Sequence, residues 1–176
     1  ISMTIRITNV VYTADLGCEI DLRTLTMSST HIIYDPHRFS GAVWKHPAIG
    51  GCCLVFPNGK LSVVGRVDNL GAGRTRARRY ARSIQRKGFK VRLVRLKLVT
   101  ASAFFEVGGN LSMDVLSGDM GAKYEPELFP AAMLKRDGLN FTCFCNGKIL
   151  VTGIKNQKDL DDTVSPVPIE LELLSV

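Results

Sequence analysis

Residues 5–12 are rich in β-branched side chains with polar ones interleaved, and residues 91–98 alternate apolar and basic positions at a period of two. Both stretches predict strands with one buried face. Shorter apolar runs at 30–34, 41–44, 52–56 and 60–64, and again at 141–144 and 148–151, are separated by Pro, Gly and Asn-Gly signals and read as an antiparallel meander. Between 74 and 87 the period changes: Ala77, Tyr80, Ala81 and Ile84 fall on one side of a helix, with Arg76, Arg79, Arg82 and Arg86 on the other. Gly88 is placed to cap that helix. Short helices are expected after Asp21, whose side chain suits an N-cap, and over 110–116. A closing helix can begin in 156–163, but Pro166 and Pro168 forbid a regular continuation.

These elements occur twice. Tyr34-Asp35-Pro36-His37-Arg38-Phe39 returns as Tyr124-Glu125-Pro126-Glu127-Leu128-Phe129, an offset of 124 − 34 = 90. Phe56-Pro57-Asn58-Gly59-Lys60 returns as Phe144-Cys145-Asn146-Gly147-Lys148, an offset of 144 − 56 = 88. Asn-Gly between strand formers is a strong hairpin signal, so each copy reads as strand, reversal, strand, tight turn, strand. The second copy is two residues shorter between its blocks, with Arg136-Asp137-Gly138 as a tight turn. Residues 1–90 form the first repeat and 91–176 the second, together one pseudo-symmetric α+β domain. Leu54-Val55-Phe56, Phe141 to Phe144 and Lys148 to Val151 are apolar on both faces, although helices can cover only one. The uncovered face requires a partner.

Charge sharpens that expectation. Residues 1–90 hold 14 basic and 5 acidic side chains and residues 91–176 hold 9 and 11, so the net charge of +7 divides into +9 and −2. A basic half favours a polyanion and an acidic one a basic protein patch. Cys18, Cys52, Cys53, Cys143 and Cys145 include no Cys-x-x-Cys pair, which fits a reducing compartment. His31, His37 and His46 fit neither a zinc site nor a Cys/His nucleophile with those cysteines, because Cys52 and Cys53 point to opposite faces of a strand. No phosphate loop or nucleophile elbow is present, so no metal, cofactor or catalysis is expected. No run of eighteen apolar residues predicts a membrane span. The chain opens on Ile1, as a fragment or processed form would.

At Asn9-Val10-Val11, Leu16-Gly17-Cys18, Tyr34-x-Pro36-x-Arg38-Phe39, Asn58-Gly59-Lys60, Ala77 to Arg82, the uninterrupted Tyr124 to Pro130 block and Val151-Thr152-Gly153, the chain resembles the conserved core of the TATA-box-binding protein family. Its departures resemble those of a TBP-related factor. The resemblance implies a saddle: one curved antiparallel sheet of ten strands, two long helices on its convex face, and an underside that sits in the DNA minor groove. It implies intercalation by Phe39 with Phe56 and by Phe129 with Phe144. A phenyl ring suits that task, being flat, stiff and free of polar groups. Along the groove floor it implies Asn9, Val11, Leu54, Val64, Thr100, Pro130, Leu150 and Thr152. Thr100 stands where the family usually has Asn and Val64 where it has Thr, while Ser62, Ser102 and Thr142 replace apolar residues. Phosphate contacts fall to Arg38, Lys45, Lys60 and Lys148.

The resemblance also implies protein partners. Glu125, Glu127 and Leu128 match the family's contact with transcription factor IIB, an acidic pair beside an apolar anchor. At the edge where transcription factor IIA docks in the family, His31, Ile33 and Pro47 stand where polar and charged residues are usual, which weakens the case for that implied contact. TBP-associated factors are further implied partners, and the helix bearing Arg76, Arg79, Arg82 and Arg86 is expected to meet regulators or upstream DNA. The same apolar underside suits a homodimer without DNA. The expected role is a nuclear initiation factor that bends A·T-rich, TATA-like promoter DNA and nucleates the preinitiation complex. The alternative is a TBP-related regulator that binds general factors with weak or altered DNA specificity.

Overall fold

A computed structural model describes residues 4–176. The first repeat runs β1 (Arg6–Asp15), α1 (Leu22–Met27), β2 (Ile32–Ile33), β3 (Ala42–Trp44), β4 (Cys52–Val55), β5 (Lys60–Gly65) and α2 (Leu70–Arg86). The second runs β6 (Val94–Glu106), α3 (Met113–Asp119), β7 (Ala131–Arg136), β8 (Leu139–Phe144), β9 (Lys148–Ile154), a π-helical turn Asp159–Val164 and α4 (Val167–Leu173). Strand order is β2-β3-β4-β5-β1 in the first and β6-β9-β8-β7 in the second, with antiparallel pairing. Asn9–Val99 forms one compact unit, and Thr100–Val176 with the chain before Asn9 forms the other. Both boundaries fall inside strands, β1 and β6.

In the unit Asn9–Val99 the period-two pattern buries Val10, Tyr12 and Ala14 of β1, Leu61 and Val63 of β5, Cys53 and Val55 of β4, and Ala42 and Trp44 of β3. The apolar stripe of α2 (Ala77, Tyr80, Ala81 and Ile84) is buried with them. Gly73 allows the helix to approach, since a Cβ there would stand 2.5 Å from Cε2 of Tyr12. The two buried phenols are satisfied: Tyr12 Oη donates to the Leu70 carbonyl at 2.6 Å and Tyr80 Oη to that of Gly50 at 2.8 Å. In the other unit Ala101, Ala103 and Phe105, Phe141 and Cys143, and Ile149, Val151 and Ile154 are buried, as are Val164, Val167 and Leu171 of the closing helical turns.

Several elements depart from the expected bounds. α2 begins at Leu70 because Asn69 caps it, accepting from the Ala72 amide at 3.0 Å, which offsets the poor helix propensity of Gly71 and Gly73. The run 30–34 yields only Ile32–Ile33. Its counterpart, the tenth strand, shrinks to one bridge in which Lys123 and Met133 exchange both hydrogen bonds at 2.8 Å. Beyond it the chain reverses, with the Leu128 and Phe129 amides donating to the Glu125 carbonyl, and Pro126 has no amide to extend the ladder. The closing segment is broken as the prolines require, into a π-helical turn and the seven-residue α4. Asp137 and Gly138, at φ 50° and 80°, form the two-residue turn between β7 and β8.

Burial also sets a pH dependence. It pushes the Cys143 thiol from its ordinary 9.0 up to about 12, and raises Cys53 well above 9.0 in the same way. Between those limits the folded state keeps protons that the unfolded chain releases, so stability falls as pH rises from about 9 toward about 12. Denaturant midpoints across that range are expected to fall less steeply for Cys143→Ala than for the parent. An unchanged slope would count against the burial argument.

Candidate nucleic-acid interface

The phenylalanines of each repeat are brought together in pairs. Phe39 and Phe56 lie 5.7 Å apart between ring centroids at 69°, and Phe129 and Phe144 lie 6.1 Å apart at 62°. Both are edge-to-face contacts, yet Phe39 stays 40% exposed and Phe129 46%, so neither pair belongs to a core. Local turns hold the rings. The amides of Arg38 and Phe39 donate to the Asp35 carbonyl, as those of Leu128 and Phe129 do to Glu125. Phe56 and Phe144 each lead a turn whose glycine amide returns to the phenylalanine carbonyl, from Gly59 at 3.0 Å and from Gly147 at 3.1 Å. Asn58 does not adopt positive φ, whereas Gly59 and Gly147 both lie at φ 87°. The predicted Asn-Gly turns therefore place only the glycine in the left-handed region, as a glycine bulge does. Gly41 leaves room for its pair, because a Cβ there would stand 2.9 Å from Phe39 and 3.0 Å from Phe56.

Between the strands, the alternate positions that avoid the core align in rows. In the unit Asn9–Val99, Val11 pairs with Val64 and Val64 with Cys52, then Thr13 with Ser62, Ser62 with Leu54 and Leu54 with Val43, then Asp15 with Lys60. In the other unit Thr152 pairs with Asn140, then Phe104 with Leu150, Leu150 with Thr142 and Thr142 with Met133, then Glu106 with Lys148. Val11, Leu54, Val64, Leu150 and Thr152 thus lie on these rows. Asn9 and Thr100 remain part-exposed on β1 and β6, and Pro130 is exposed between Phe129 and β7. Thr142 differs from expectation, being 9% exposed within its row.

Strand register adds residues that the motifs did not single out. Lys60 stands across the ladder from Asp15, and Lys148 across from Glu106, so two of the three candidate phosphate lysines have a carboxylate opposite them in register. Arg95, a non-glycine residue at φ 54°, also donates to Asp15. A groove of about 700 Å³ in that unit is lined by Thr13, Leu54, Phe56, Ser62, Arg95 and Lys97. In the other unit the Arg6 guanidinium lies 5.4 Å from the centroid of the Phe104 ring. An offset of 97 − 6 = 91 carries Arg6 to Lys97, a basic match that spacing could have found, and Thr13 to Phe104, an unlike pair that it could not. Arg38 remains free enough to reach a phosphate, 88% exposed with only a 3.6 Å contact to Asp35, and Lys45 is exposed.

Elsewhere, Arg79, Arg82 and Arg86 are exposed on α2 and border a hollow of about 440 Å³ with Arg78, His46 and Ile49. Arg76 does not join them. Its Nη1 donates to the Arg66 carbonyl at 2.9 Å and its guanidinium packs against Gly50 and Gly51, where the missing side chains make room. Glu125, Glu127 and Leu128 are exposed, Leu128 by 79%, and Lys123 pairs with Glu125 at 3.2 Å. His31, Ile33 and Pro47 are exposed as well. Cys53 and Cys143 are buried, Cys52 is part-exposed, and Cys145 lies exposed in a turn. Among the described residues no group of three His, Cys, Asp or Glu is placed to hold a metal, and no helix is long and apolar enough to cross a membrane.

Comparison with known proteins gives one consistent result. A family model described as transcription factor TFIID (or TATA-binding protein, TBP) matches residues 4–86 and 95–171. The chain is 29% identical over 170 residues to a TBP-related factor of Drosophila melanogaster, covering 93% of this chain and 75% of that protein. It is 31% identical over 156 residues to TATA box-binding protein-like 2 of Rattus norvegicus, covering 86% of this chain and 45% of the relative, so it spans about half that protein's length. Against the solved Methanococcus jannaschii TBP the TM-score is 0.79 at 24% identity, over 96% of this chain and 98% of that one, which establishes the fold.

Proposed function

The chain belongs to the TATA-box-binding protein family, whose members are transcription factors and not enzymes, and from that premise we propose that it binds the minor groove of core-promoter DNA. The observation that carries this reading is the two edge-to-face phenylalanine pairs at repeat-related positions, each with one exposed and one part-exposed ring. Each pair wedges into a base step, and the kinked duplex then lies on Asn9, Val11, Leu54, Val64, Thr100, Pro130, Leu150 and Thr152. Arg38, Lys45, Lys60 and Lys148 hold the backbone, which positions the protein without reading sequence. Burial of the apolar rows and rings offsets the loss of base stacking. Exposed Glu125, Glu127 and Leu128 then recruit transcription factor IIB in the nucleus.

A second reading has its own observation. With a carboxylate opposite both Lys60 and Lys148, the pull on phosphate is weakened, which favours a TBP-related regulator that holds general factors with little use of DNA. One experiment separates the two. A short duplex labelled at both ends for energy transfer reports bend and affinity for an A·T-rich and a G·C-substituted sequence at fixed salt, beside capture of transcription factor IIB without DNA. The first reading expects a strong bend on the A·T-rich duplex. Capture of the factor with no bend on either duplex would replace it with the second.

A further inference from the structure

We propose that the two groove-facing surfaces read opposite base-pair chemistry at repeat-related steps: the Thr13–Ser62 row accepts G·C, and the Phe104–Leu150 row demands A·T. The inference rests on the minor-groove reading above and goes beyond it. The binding element is then non-palindromic, and the protein lies on it in one orientation.

The two rows occupy the same place in each repeat. The offsets are 104 − 13 = 91 and 150 − 62 = 88, and each row is two residues along its strands from the carboxylate and lysine row next to the phenylalanine turn. Their β1–β5 and β6–β9 pairs differ in chemistry, while Leu54 continues the first row and the buried Thr142 the second. Thr13 and Ser62 are direct cross-strand partners and both part-exposed, so two hydroxyls face the groove side by side. A hydroxyl donates and accepts, so it meets the ring nitrogen or carbonyl acceptor of an A·T pair as a donor and the exocyclic amine of guanine as an acceptor. Phe104 and Leu150 are also direct partners, but offer no acceptor. With Leu150 38% exposed and Arg6 stacked over the Phe104 ring, guanine's amine brought there is desolvated without a partner.

The contrast is not one face being more polar than the other. At the next row the order reverses: Val64 and Cys52 in one unit stand where Thr152 and Asn140 stand in the other. These two rows are out of phase between the units, while the Asp15–Lys60 and Glu106–Lys148 rows are charged in both. Matched rows would read a palindrome, whereas these two cannot.

The test is a scan in which a single G·C pair is placed at each step of an A·T-rich duplex, repeated with inosine·C, which lacks the minor-groove amine. Orientation is read from strand cleavage by an iron chelate on the exposed thiol of Cys145, with Cys18 and Cys52 replaced by serine. One G·C step beside the Phe129–Phe144 end is expected to lower affinity ~10-fold or more, as a mismatched pair typically does, with inosine restoring it. Its mirror step beside the other end is expected to change affinity by less than ~3-fold, a small fraction of that mismatch cost. Leu150→Ser is expected to relieve the penalty, and Ser62→Leu to create one at the mirror step. Equal penalties at the two steps, a penalty that inosine leaves in place, or a profile unmoved by both variants would overturn the inference while leaving groove binding intact. Failure to bind every duplex would overturn the minor-groove reading itself and this inference with it.

Discussion

Alanine at Phe39, Phe56, Phe129 and Phe144 together is expected to abolish DNA bending and lower affinity by ~1,000-fold or more, while the melting temperature moves little. The separation follows from where the rings sit. Phe39 and Phe129 are 40% and 46% exposed, their ring partners Phe56 and Phe144 are part-exposed, and none of the four is among the buried residues, so removing them opens no cavity in either core. On the proposed wedge reading the same rings would replace lost stacking on DNA, and unstacking a base step costs on the order of a few kcal/mol. If each ring buries about 60–80 Å² more on insertion, four rings contribute about 6–8 kcal/mol at ~25 cal/mol per Å². The half-variants, Phe39→Ala with Phe56→Ala and Phe129→Ala with Phe144→Ala, are each expected to remove one kink and leave an intermediate bend. Parental affinity and bend in the quadruple variant, measured by energy transfer on an end-labelled duplex, would sink the wedge assignment.

Gly59→Ala is expected to cost stability on the order of 2–5 kcal/mol, the sum of a left-handed backbone in a residue with a Cβ and a forced shift of packed chain. At φ 87° a Cβ on this residue would stand 2.1 Å from the Cys18 carbonyl oxygen, and that neighbour is backbone that cannot rotate aside. The Leu16 amide donates to the Gly59 carbonyl at 2.8 Å, which ties the turn to the loop after β1 from the other side as well. Gly88→Ala is the control: its φ is 101° but nothing lies within 4 Å, so only the conformational part of the cost remains. Chemical denaturation of both variants decides the matter. Equal losses would mean that the Cys18 contact yields freely and that Phe56 is not held by a rigid turn.

Much of this fold was legible because the determinants are local. The arginine-backed stripe of α2, the glycines of the hairpin turns and the doubled Tyr-x-Pro blocks are read directly from spacing, and the two proline interruptions foretold the broken closing segment. What stayed hidden depends on register. That Lys60 faces Asp15, and Lys148 faces Glu106, follows only once β1 is set against β5 and β6 against β9. Arg76 belongs to the arginine face by periodicity, but three nearby glycines leave a space that its guanidinium fills. Phe104 was overlooked for a different reason: its repeat mate is Thr13, so a search for matched phenylalanines passes over it. The tenth strand failed because Pro126 and the reversal before Phe129 stop the ladder after one bridge.

The carboxylates opposite Lys60 and Lys148 bear on how the protein would respond to its ionic surroundings. A duplex sheds condensed counterions in proportion to the positive charge delivered to its phosphates, and that release makes most DNA binding fall steeply with added salt. On the proposed reading Asp15 and Glu106 would approach the duplex together with the lysines, and Arg95 is already engaged by Asp15. On the proposed minor-groove reading, fewer ions would be released than a count of cationic side chains implies. Affinity is then expected to lean on insertion and groove contact, and to persist at ionic strengths that strip a purely electrostatic binder from DNA.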